Sequence, residues 1–198
     1  FKESWLEFAR ALVQGHIQMS DRYSNTQVMT GETISGIGSS AAILYYNDKV
    51  SYLDGTVEPM NLQVLPMPKT NGADALMTQA GVGLCAYKTD EQRAEAASLF
   101  VHWLTEPERN VEFVTSLGYM PVTKAGFDRL LPAAIETLED PMYVSLYEAF
   151  LQTRQEYTFY VPPQREDYLS LETRFEKTAR LRLTAGRAQY LEQGADAL

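Results

Sequence analysis

Four stretches in order decide the fold: VLPMP (64–68), QAGVGLCAYKT (79–89), AEAASLFVHWLTEPERNVEFV (94–114) and GYMPVT (118–123). Leu62 to Leu65 reads as a strand, ended by Pro66 and Pro68, which cannot donate to a ladder. Lys69 to Ala73 forms a loop, and Val82 to Tyr87 reads as a second strand. Thr89 and Gln92 have the spacing of a capping box. They would open a helix that buries Ala96, Phe100, Trp103 and Leu104. Thr105 and Glu108 repeat the cap, with Pro107 in the first turn, where its missing N–H costs nothing. Val111, Val114 and Leu117 continue inward, and Gly118 stops the helix.

Outward from this segment the pattern is mostly helical. Trp5, Phe8, Ala9, Leu12 and Val13 recur at helical spacing before Gly15. Asp21 to Thr26 is polar and turn-rich, and Thr33 to Gly38 is a short β-like run. Ser39 then caps a short helix through Tyr46, and Asp54-Gly55 marks a turn. Leu130, Leu131 and Ile135 form one apolar patch; Tyr143, Leu146, Tyr147, Phe150 and Leu151 form a stripe. Thr158 to Pro163 is an extended crossing, and a last helix from about Asp167 turns Leu171, Phe175 and Ala179 inward. The class is α/β, helix-rich.

The chain has 198 residues, enough for one good core or two small domains, with 45% hydrophobic and 22% charged residues. No apolar run approaches the roughly 18 residues of a membrane span. A net charge of −9 argues against nucleic acid, which needs a basic face. Basic and acidic side chains balance over residues 164–198, so the acidic excess sits before them. The single cysteine, Cys85, permits no internal disulfide, and its apolar setting predicts burial.

Enzyme constellations are sparse. His16 and His102 are the only histidines, and neither has the convergent partners of a metal site. There is no GxSxG elbow. Glu139-Asp140 and Glu166-Asp167 stand at turns or helix starts, where carboxylates cap. Gly36, Gly38 and Ala41 fit GxGxxA, and Asp54 falls near the place of a ribose-binding acid. Too few residues separate Ser40 from Asp48 for a crossover helix, and Ile37 stands where a P-loop needs lysine. No cofactor is expected. The same stretch has another use: glycines followed by Ser39 and Ser40 gather N–H groups and hydroxyls at one point, suited to a hydroxyl, phosphate or carboxylate.

From about Gly31 to Thr123, with a weaker echo in the tail, the chain resembles the second half of an extracellular solute-binding protein of the ABC-importer type, bacterial family 1. That resemblance implies a type II periplasmic-binding-protein-like fold, here a C-terminal fragment with parts of both lobes. Residues 1–60 would lie in the C-terminal lobe, 61–116 would return to the N-terminal lobe, and 117–198 would complete the C-terminal lobe. It implies no catalysis. A sugar, polyol or glycerol-phosphate-like solute would be captured outside the cell, by a membrane-anchored lipoprotein or a periplasmic protein, and passed to an ABC permease. Five ligand-binding residues follow from it. Ser39 and Ser40 would line the cleft, Gly81 would let the backbone approach the ligand, Tyr119 of the GYMP motif would reach it, and Arg165 would grip a phosphate. Ala80 departs from the family's paired glycines. Without the family's first half, a companion segment, a domain-swapped homo-oligomer or a rearranged helical packing is expected. Two other readings remain: a sensor-partner module without transport, and a nucleotide-binding enzyme fragment using the Gly36–Ala41 loop.

Overall fold

The computed structural model describes residues 1–69, 74–87 and 90–193. Contacts divide the chain into two compact units, residues 1–22 with 162–198, and residues 23–161.

The first unit is a pair of helices, α1 (Lys2–Gln14) and α7 (Tyr168–Gln193), the last of seven α-helices among the described residues, packed along each other. Gly15 ends α1 at φ +86°, as its position in the sequence predicts, and the His16 N–H closes onto the Ala11 carbonyl at 2.8 Å. Arg187 of α7 donates to the Val13 carbonyl at 2.8 Å, satisfying a group that a helix end leaves without a partner. Leu12 and Leu183 are the buried apolar residues of the pair. The inward face expected for α7 is corrected: Leu171 and Phe175 are exposed. Phe175 sits instead in an open aromatic group with Phe1 and Trp5.

The second unit begins with α2 (Ser24–Met29), a helix where the sequence reads as turn. Asn25, Gln27 and Val28 are buried on it, so tertiary packing outweighs weak local propensity. Residues 33–38 form no strand, and Ile34 and Ile37 are exposed. The short helix after Ser39 exists, as a 3₁₀ helix over Ser40–Tyr45. An antiparallel hairpin follows, β1 (Lys49–Ser51) with β2 (Val57–Pro59), Val50 opposite Glu58. Its turn carries Gly55 at φ +88° beside Asp54, as read from the sequence.

The middle segment departs furthest from expectation. Leu62–Leu65 and Val82–Tyr87 are not strands; β3 is Leu76–Thr78, paired in parallel with β4 (Thr158–Tyr160). No neighbouring strand among the described residues offers Val82–Tyr87 a ladder, and Val82, Leu84 and Tyr87 are exposed. Cys85, expected inside, is exposed with them. Helix α3 (Glu91–Thr105) begins at Asp90, whose carboxylate accepts from the Arg93 N–H at 2.9 Å; Thr89 lies outside the described residues. Its expected buried stripe is absent. Phe100 and Trp103 are about half exposed, stacked on each other, and Arg109 lies 5.0 Å over the indole.

Helix α4 (Pro107–Thr115) starts at Pro107 and buries Val111 and Val114, as predicted. Thr105 does not cap it; the hydroxyl donates back to the Val101 carbonyl at 2.8 Å. A π turn over Gly126–Leu130 runs into α5 (Leu131–Ile135), and Asp140 caps α6 (Pro141–Glu156) through the Met142 N–H. The core gathers Ile43, Phe127, Leu131, Leu146, Tyr147 and Phe150. Each such side chain contributes about 1.5–3 kcal/mol on burial. Among the described residues no helix is long and apolar enough to cross a membrane.

Candidate functional site

The core places two surface elements side by side. Ile43 of the 3₁₀ helix packs against Leu146 of α6, and Gly118, at the end of α4, fits against both. Gly118 has φ +73°, and a methyl there would lie 2.6 Å from Ile43 Cγ2 and 2.8 Å from the Ser40 carbonyl oxygen. Only glycine accepts both the left-handed backbone and that approach. The result brings Ser39-Ser40 next to Gly118-Tyr119, two candidate groups far apart in sequence.

Ser39 is exposed and caps the 3₁₀ helix through a long bond, 3.4 Å from the Ala41 N–H, so its hydroxyl is only loosely engaged. Ser40 is half-buried. A 3₁₀ helix of six residues carries little macrodipole, so the hydroxyls and not a helix-end charge are what this point offers a solute. Tyr119 is half-buried, and its N–H donates to the Val114 carbonyl at 3.2 Å.

Beneath these groups lie two buried polar side chains that the sequence reading passed over as potential contributors. Tyr147, on the predicted core stripe, is fully buried, and its hydroxyl donates to the same Val114 carbonyl at 2.6 Å. Burial pushes its pKa well above the ordinary tyrosine value, while the Gly118 N–H on the phenol oxygen pulls the other way. Asn110, 4% exposed on α4, accepts the Val122 N–H on Oδ1 at 2.9 Å. An asparagine one turn before Val114, on the helix face that buries it, was the available signal.

The glycine loop has a structural account. Gly36 and Gly38 lie against Ser24, whose hydroxyl donates to the Ile37 carbonyl at 3.1 Å; a methyl on Gly36 would meet Ser24 Cβ at 2.9 Å. Neither a strand before the loop nor a long helix after it is present, and Asp54 sits in the hairpin turn with its carboxylate on the Thr56 N–H. That hydrogen bond holds the Asp54 carboxyl below its usual range. The dinucleotide geometry is therefore not met.

Gly81 is exposed, with open space where a side chain would be. Arg165 belongs to the first unit and forms a two-point pair with Asp167, Nε to Oδ1 at 3.1 Å and Nη2 to Oδ2 at 3.2 Å. A phosphate would have to displace that carboxylate from the guanidinium fork.

Residues 2–136 match the family described as bacterial extracellular solute-binding protein. That span contains Ser39, Ser40, Gly81 and Tyr119 and stops short of Arg165. No curated protein and no solved structure matches the chain.

Proposed function

This chain belongs to the bacterial extracellular solute-binding proteins, and from that premise we propose that it captures a sugar, polyol or glycerol-phosphate-like solute without covalent chemistry, for delivery to an ABC permease. The observation that carries this reading is the meeting of Ser39-Ser40 with Gly118-Tyr119 inside the family span. In this reading the Ser39 and Ser40 hydroxyls and the Tyr119 phenol, carried by the two stretches that Gly118 joins, supply the polar groups a polyhydroxylated ligand needs. The phenol supplies stacking area and a hydrogen-bonding tip. Gly81 and Arg165 stay in this reading as solute contacts that the family resemblance implies. In the lobe division by residues 1–60, 61–116 and 117–198, the β3–β4 ladder links the middle segment to the last and is where a hinge belongs.

Thermal shift and calorimetry test this with mono- and oligosaccharides, glycerol phosphates and phosphodiesters, and NADH as a control. A saturable response to one solute class, lost in Tyr119→Ala and weakened in Ser40→Ala, is the expected result. Binding of NADH with silence from every solute would reject the transport reading and return attention to the glycine loop.

A further inference from the structure

We propose that Tyr147 and Asn110 are positioning residues, a two-point clamp that fixes the Gly118–Thr123 connection and so sets where Tyr119 stands relative to Ser39 and Ser40. The proposal rests on the reading of Tyr119 as a solute contact and adds the groups that hold it in place. Neither side chain can touch a solute itself, since both are buried. Each acts through the backbone.

The clamp closes the connection from its two ends. At the first end the Tyr147 phenol reaches a helix terminus, donating to the Val114 carbonyl at 2.6 Å. The Val114 carbonyl also accepts from the Tyr119 N–H at 3.2 Å, so one oxygen ties the phenol of α6 to the residue that faces solvent. At the second end Asn110 takes the Val122 N–H at 2.9 Å, just after Pro121, which has no N–H to give. Thr123 then caps the π turn through the Gly126 N–H at 3.0 Å.

A hydroxyl inside an otherwise apolar cluster costs free energy unless both its capacities are used. Phenylalanine would fill the same space without that cost, so packing alone does not account for a tyrosine here. Its geometry accounts for it: the hydroxyl donates to the Val114 carbonyl near the end of α4, the same oxygen that accepts from the Leu117 and Tyr119 N–H groups. Because Gly118 abuts the Ser40 carbonyl, a turn released from this tie would change the separation of the phenol of Tyr119 from both serine hydroxyls.

Amide hydrogen exchange by NMR on the full chain, with maltose and sn-glycerol 3-phosphate as titrants, tests the clamp. Tyr147→Phe is expected to speed exchange at Gly118 and Tyr119 by roughly tenfold while the α6 amides keep their protection. Affinity for whichever titrant the parent binds should fall several-fold. Asn110→Ala should do the same at Val122, and Asn110→Asp, which keeps an acceptor oxygen, should restore protection there. This second pair also carries the test if Tyr147→Phe does not fold. Unchanged exchange at residues 118, 119 and 122 overturns the proposal, as does a rise spread evenly over α6. Faster local exchange with undiminished affinity overturns the positioning role. If the parent binds neither titrant, the solute reading fails for those two classes, and exchange alone decides the clamp.

Discussion

Gly118 shows how much one residue can settle. Its φ of +73° and its contact with the Ser40 carbonyl together demand a missing side chain. Gly118→Ala should cost about 2–4 kcal/mol, combining left-handed strain with a forced shift of Ile43 or of the Ser40 backbone. A urea midpoint unchanged within error would show that the turn yields easily. Tyr147 makes a second prediction at this scale. Its pKa is raised in the folded state above the roughly 10 of a free tyrosine. Its contribution is therefore whole below about pH 10 and is lost as pH rises through the folded value. Stability between pH 9 and 11 should fall more steeply in the parent than in Tyr147→Phe; parallel limbs would remove Tyr147 as the cause. The candidate residues were unevenly legible. Ser39 as a cap and Gly118 as a stop follow from local rules and are observed. That Ser40 and Gly118 touch depends on how Ile43 and Leu146 pack, which no local pattern encodes. Asp167 engages Arg165, a local pairing that a reading aimed at phosphate overlooked.

At the scale of elements, periodicity tells which face a segment offers for burial, not whether anything covers it. The α6 stripe is covered, and Leu146 and Tyr147 are buried as predicted. Helix α3 has an equally apolar set, yet none of the described residues of its own unit buries Phe100 or Trp103. The same holds for Val82–Tyr87: strand propensity is present, but a strand exists only with a neighbour to share its hydrogen bonds. Asp90 caps α3 for a simpler reason, since its carboxylate stands one residue ahead of the helix and reaches the Arg93 N–H. These differences are measurable. Leu146→Ala should cost about 2–5 kcal/mol, whereas Phe100→Ala and Trp103→Ala should each stay within about 1 kcal/mol, by urea unfolding. Equal losses at the two helices would mean that α3 is buried in solution.

Across the whole molecule, the two units differ in what holds each together. The second has a cluster of six buried apolar side chains from the 3₁₀ helix, the π turn, α5 and α6, elements close in sequence apart from the first. The first relies on Leu12 and Leu183, with Arg187 closing the end of α1, and it joins segments from opposite parts of the chain. Loop closure over that separation is an entropic cost that its few buried contacts must offset. Its local stability should therefore lie at the low end of the molecule's range. Amides of α1 and the α7 turns around Leu183 should exchange faster than those at the centre of α6. Arg187→Ala or Leu12→Ala should speed exchange in α1 while leaving the α6 amides unchanged. Exchange that slows and quickens together in α1 and α6 would show that the molecule opens as one cooperative body, and the Gly118–Thr123 turn would then share its stability with the terminal helices.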